Sequence, residues 1–215
     1  MPTRFLPVLL VVLFVACGCT DGDPNPSTRA AGDSGNGGPQ NKSRTVHAEV
    51  GGDIQVLVLD SASVVEGSTL ETDTAAYLVR EVTGHTLRRS LTVSGRSADT
   101  LDDAHPPVTD SLAAGTRVTS YLVHVDTKGG GKTILTGSLR LPAPVVAVIA
   151  SGRQLDVSDA RLGNESIRYP ASGQGHHRSI NVQRSDALRF SADRRTVEVE
   201  IHNWAGADQV RILTR

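Results

Sequence analysis

Oxygen-bearing side chains crowd the stretch "LDVSDARLGNESIRYP", which holds Asp156, Asp159, Asn164 and Glu165. Hard oxygen ligands at that density suit calcium when their geometry converges. Arg161 stands among the same carboxylates, however, and opposes a divalent ion. The competing reading is structural: Ser158 caps a short turn of helix, Gly163 takes its C′ position, and Leu155, Val157 and Leu162 anchor the segment in a core. The cap is favoured, with Asp156, Asp159 and Glu165 kept as the calcium alternative. A second acidic group, "SADTLDDAHPPVTD", gathers Asp99, Asp102, Asp103 and Asp110. The spacing of an EF-hand loop is absent there, and Asp side chains favour turns by bonding nearby backbone amides. "GQGHHRS" sets His176 beside His177. Adjacent imidazoles bind a metal only when further ligands and supporting hydrogen bonds converge. His105, His124 and His202 are the remaining candidates, and an exposed polar loop is the expectation.

The elements that would position such chemistry point away from catalysis. No G-x-S-x-G elbow occurs. Glu198 and Glu200 lie two apart in "TVEVEIHN", on one face of a strand, which describes a solvated face rather than an acid–base pair across a cleft. "DTKGGGKT" invites a nucleotide reading, but a Walker loop needs glycine where Asp126 stands. It must also open a helix, and "TILTGSLRL" reads as a strand. A glycine-rich hairpin is the expectation.

Composition narrows the classes further. The chain has 215 residues and a net charge of −1, and nothing resembles the basic stripe that a nucleic-acid binder needs. Aromatic residues make up only 3%, which argues against an aromatic platform for sugars or bases.

The first residues, "MPTRFLPVLLVVLFVACGC", begin with Arg4 and continue without a charge through residues 5–16. That run is shorter than the roughly 20 apolar residues of a permanent bilayer span, and a charged start before a short apolar stretch describes a secretory signal. "LFVAC" then resembles a bacterial lipobox: apolar residues, a small residue and a cysteine. The resemblance implies that the cysteine sulfur receives a diacylglyceryl group, that the signal is cut just before it, and that the new amine is acylated. Thiolate nucleophilicity suits the first step, and several acyl chains hold a membrane far better than one. Cys17 fits best, with bulky apolar residues leading to it; Cys19 also tolerates the pattern. A Cys17–Cys19 disulfide is a strained alternative at that spacing. No cysteine lies beyond Cys19, so the exported part must hold itself together by packing.

Residues 20–45 contain no Val, Leu, Ile or aromatic side chain and are rich in Gly, Pro, Ser, Asn and Asp. They cannot bury enough apolar surface to offset the entropy of ordering them, and read as a flexible, disordered tether. The organisation is therefore a signal peptide over 1–16, a lipidated N-terminus and linker over 17–45, and one domain over 46–215. From residue 46, short runs rich in β-branched residues alternate with Gly, Pro, Asp and Asn clusters. Val197, Val199 and Ile201 share a face, as do Val210 and Ile212. The pattern predicts an all-β fold, a single jelly-roll-like β-sandwich, with one strand ending near Pro142 and another beginning after Pro144. No helix longer than about two turns is expected; residues 61–74 are the best helical candidate.

The pieces "GTRVTSYLVHVD", "TGSLRLPAPVVAVIA", "LDVSDARLG", "ADRRTVEVEI" and "DQVRILT" are similar, in order and spacing, to a recurrent exported bacterial β-domain often found in proteins with a PEP-CTERM sorting tail. The chain departs from that pattern at Asp126-Thr127, where relatives often have Asp-Pro, and at Leu139 or Leu141, where an aromatic is usual. The resemblance implies a sandwich-like exported module and supplies no catalytic residue. With no sorting tail after Arg215, anchoring is expected at the N-terminus. The reading that follows is a lipid-anchored envelope protein with a non-catalytic module that meets a protein or glycan partner, without a cofactor. A carbohydrate- or calcium-dependent binding module is the alternative, and a hydrolase a more distant one.

Overall fold

The computed structural model describes residues 48–57, 62–96, 99–102, 104–128, 132–170, 178–180, 185–204 and 206–215. The signal-like run, Cys17, Cys19, the linker, Asp103, the glycines at 129–131, His176 and His177 lie outside them. The first half runs through β1 (Glu49–Gly52), β2 (Ile54–Leu57), β3 (Ala62–Ser63), β4 (Ala76–Arg80), β5 (His85–Thr86), β6 (Leu91–Val93), β7 (Thr100–Leu101) and β8 (Asp110–Leu112). It continues through β9 (Arg117–Thr127), β10 (Thr133–Arg140), β11 (Val145–Ile149) and the helix α1 (Gly152–Leu162). β12 (Ile167–Arg168), β13 (Ala187–Phe190), β14 (Thr196–Asn203) and β15 (Gly206–Thr214) complete it.

Two sheets form an all-β sandwich. One has the order β1-β10-β14-β13-β7 and is antiparallel throughout. The other has the order β11-β15-β9-β4-β2, with β2 parallel to β4 and β5 alongside the start of β9. Period-two patterning explains the packing. Val197, Val199 and Ile201 of β14 meet Tyr121, Val123 and Val125 of β9 and Val210 and Ile212 of β15 in the core between the sheets. The alternate residues of the second sheet do not face water. Val79, Leu122 and Leu213 enter a second core with Leu155 and Leu162 of α1, Leu91 and Val93 of β6, and Leu112 of β8. The second sheet is thus buried on both faces, and α1 and the β6–β8 pair form a third layer.

The predicted strand between Pro144 and Ser151 is β11, and β10 ends at Arg140, just before Pro142. Several expectations need correction. The glycine-rich run does link two strands, but β9 and β10 belong to different sheets, so the connection passes from one sheet to the other instead of turning a hairpin. Of the helical candidate over 61–74, the described residues 62–74 are not helical: after β3 the chain turns at Gly67, whose φ is +69°, and Ser68 Oγ donates to Ser63 O at 2.7 Å. The helix is longer and earlier than a turn beginning at Ser158. It spans 11 residues from Gly152, because Leu155, Ser158 and Leu162 fall on one face and are buried together. Ser151, not Ser158, is its N-cap residue, and Gly163 ends it in extended conformation at φ −65°, not in the left-handed region. Val157 points outward and is 56% exposed, so it does not anchor the segment.

Candidate functional site

α1 covers a face of the second sheet that carries polar side chains. On β9, Ser120 and His124 face it, and on β15, Gln209 and Arg211 do; all are buried. Arg211 is completely buried and uses every guanidinium N–H. Its Nε and one terminal nitrogen grip Glu81 at 2.7 and 2.6 Å, a bidentate pair. The same terminal nitrogen donates to Asp159 at 2.8 Å, and the other donates to Ser158 Oγ and to Leu155 O. Ser158, expected as a cap, is therefore a mid-helix receptor for this arginine. Burial works against the Arg211 charge, but Glu81 and Asp159 outweigh it and hold the group above the ordinary arginine range.

Glu81 is equally saturated. Besides the two bonds from Arg211 it accepts Ser120 Oγ at 2.6 Å and the Tyr169 hydroxyl at 2.7 Å. Those four bonds use the four lone-pair directions of a carboxylate. Tyr169 in turn accepts Asn164 N–H at 3.0 Å, and its ring lies 5.9 Å from the Arg211 guanidinium. Burial, with the Glu81 charge next, pushes the Tyr169 hydroxyl far above its ordinary range and keeps it a neutral donor.

A second buried arginine extends the network. Arg178 donates to Asp156 at 2.9 Å, to Asp159, and to Gln209 Oε1 at 2.9 Å. Gln209 passes the chain on to Val64 O at 2.7 Å and to His124 Nδ1 at 2.9 Å. Because Gln209 donates, Nδ1 of His124 is unprotonated and the ring proton sits on Nε2, a buried atom without a hydrogen-bond partner. Burial, with the Arg178 charge second, pulls the His124 pKa down to about 3.

Two of the three carboxylates that suggested calcium are thus paired with arginines. Asp156 and Asp159 bond to Arg178, Asp159 also to Arg211, and Glu165 is exposed. Among the described residues no group of three or more His, Cys, Asp or Glu side chains has metal-holding geometry. His124 belongs to β9, His202 to β14 in the other sheet, and His105 to an exposed loop, so they do not converge. In the other acidic stretch Asp102 accepts Ala104 N–H at 3.0 Å and His105 N–H at 2.9 Å, the turn that was expected. Glu198 is exposed, and Glu200 bonds His202 and Arg189 on the outer face of β14.

An open cleft of about 730 Å³ lies against the network, lined by Glu81, His85, Asp159, Asn164, Glu165 and Tyr169 among others. Among the described residues a smaller hollow also flanks α1. Sequence reasoning placed the "LDVSDARLGNES" segment at a candidate site, and this segment does wall the cleft. It missed Glu81, Ser120, Tyr169, Arg178, Gln209 and Arg211. A signal existed: Arg211 shares its strand face with Leu213, and Ser120 shares its face with Leu122, so a face with polar residues also carried apolar ones that needed cover. No family model, curated protein or solved structure matches this chain.

Proposed function

We propose that this chain is a lipid-anchored protein of the bacterial cell envelope, exposed outside the cytoplasm, whose β-sandwich is a non-catalytic interaction module. The leader over 1–16, lipid attachment at Cys17 and the linker over 17–45 place the domain at a membrane surface through acyl chains. Support for the anchor is the "LFVAC" sequence after a charged start and a short apolar run. The observation that carries the non-catalytic reading is the saturation of Glu81. The best-buried carboxylate beside the larger cleft accepts four hydrogen bonds from its own protein and has no lone pair left for a substrate proton. The partner is a protein or a glycan of the envelope. Nucleic acid is disfavoured by the net charge of −1.

Metabolic labelling with a clickable palmitate tests the anchor. The parent protein should incorporate label and fractionate with membranes, and Cys17→Ser should lose both the label and cleavage at that site. Retained label in Cys17→Ser with loss in Cys19→Ser moves the attachment to Cys19. An unlabelled parent removes the lipoprotein reading.

A further inference from the structure

The smaller hollow adjoins the acidic cleft at Arg161, which lines both, and has a different chemistry. It holds about 410 Å³ and is lined by Ser90, Thr92, Ser151, Arg153, Gln154, Val157 and Arg161. No carboxylate is among them. Arg153, Val157 and Arg161 recur every fourth residue and form one stripe along the helix. Eight residues at 1.5 Å each set the two arginine backbones about 12 Å apart along the axis. Ser90 and Thr92 form the opposite wall, where β6 begins.

The two cations differ in readiness. Arg161 is fixed across the hollow, donating to Ser90 O at 2.8 Å with one terminal nitrogen and leaving donors over. Arg153 is exposed and makes no ion pair among the described residues. The first turn of α1 carries no acidic residue to neutralise its N-terminal end, and Ser151 makes no side-chain cap. Val157 adds a 56% exposed apolar surface between the two charges. Positive charge at both ends, hydroxyl and amide groups along the walls and a small apolar floor match an extended chain of acidic sugars. Carboxylates pair with arginine, hydroxyls meet Ser, Thr and Gln, and a pyranose C–H face rests on the valine.

We infer that this hollow binds an anionic glycan, with Arg153 and Arg161 each engaging a uronate-type carboxylate. The inference rests on the reading of the domain as a binding module and not on its lipid anchor, so a failed palmitate experiment leaves it standing.

The test uses the full-length protein in detergent and titrates oligogalacturonate, a polycarboxylate, against a neutral maltooligosaccharide. Saturable binding of the acidic oligomer is expected, weakening as salt rises. Arg153→Gln should weaken it about tenfold, the scale of one charge-assisted contact. Among the described residues Arg153 has no ion-pair partner to lose, so the thermal melt of Arg153→Gln should match the parent and folding is not at issue. Arg161→Gln should weaken binding further, and Glu165→Gln, in the adjoining cleft that Arg161 also lines, should not weaken it. Equal binding of the neutral sugar, or an Arg153→Gln variant that binds like the parent, overturns the inference. So does absence of oligogalacturonate binding, and Arg153-dependent binding to phosphatidylglycerol vesicles in that case assigns the hollow to lipid headgroups.

Discussion

At Arg211 the chain solves a problem that a fully buried guanidinium always poses. Removing the charge from water costs several kcal/mol, and only good geometry with every donor used offsets it. Five acceptors meet it: two oxygens of Glu81, one of Asp159, Ser158 Oγ and Leu155 O. The arrangement makes the pair expensive to break from one side. Arg211→Met removes the cation and leaves Glu81 buried against Ser120 and Tyr169 without a counter-charge. The expected loss is about 3–5 kcal/mol in urea unfolding. Adding Glu81→Gln to that background removes the stranded charge, keeps one amide oxygen as acceptor for the Tyr169 hydroxyl and turns an amide N–H toward the Ser120 hydroxyl, which can accept it. The double variant should therefore be more stable than Arg211→Met alone. A double variant whose loss equals the sum of the single losses would show that the two residues are not coupled, and the clasp assigned to them would be wrong.

At the scale of elements, α1 makes the difference between what could be read in the sequence and what could not. The strands were legible because alternation of β-branched and polar residues is local: Val197, Val199 and Ile201 predict their own face, and β14 covers the whole of "TVEVEIHN". The helix was not. Its buried stripe is Leu155, Ser158 and Leu162, with a serine where an apolar residue would give the period, and the outward Val157 adds a false apolar point. Missing the helix also hid the site, since Gln209 and Arg211 read as a solvated face until something covers them. Its exit is fixed by close contact. A Cβ at Gly163 would stand 2.4 Å from Asp159 O and 2.8 Å from the Tyr169 ring. Backbone and ring must both yield, although φ there is ordinary. Gly163→Ala is expected to lose about 1–3 kcal/mol in chemical denaturation, the scale of overpacking. Val157→Ala, on the exposed face, should stay within about 0.5 kcal/mol of the parent. Equal stability of the two variants would mean that the helix end relaxes freely and does not hold Tyr169.

For the molecule as a whole, the second sheet belongs to both cores, so loss of either layer exposes β9 and β15 and the described domain is expected to unfold as one unit. A single unit means that each buried titration acts on global stability. Two groups act in opposite senses. His124, held at about 3 from an ordinary 6.5, binds its proton more weakly when folded. The unfolded chain then carries more protons between those values, and this group makes stability rise with pH up to about 6.5. Asp208 faces the other way. Burial, with the charge of Asp186 second, pushes its carboxyl from 3.8 up to about 8. The folded state holds that proton more tightly, so stability from this group is complete below pH 3.8 and is lost as pH rises toward 8. Between about 4 and 6.5 the two trends compensate, and above 6.5 only the Asp208 loss remains. Asp208→Asn removes the ionisation and nearly keeps the shape. The variant should melt at a higher temperature than the parent at pH 8.5, with the advantage shrinking steadily as pH falls toward 4. A difference that stays constant across that range would mean that Asp208 is already ionised in the folded protein and that burial does not raise its carboxyl.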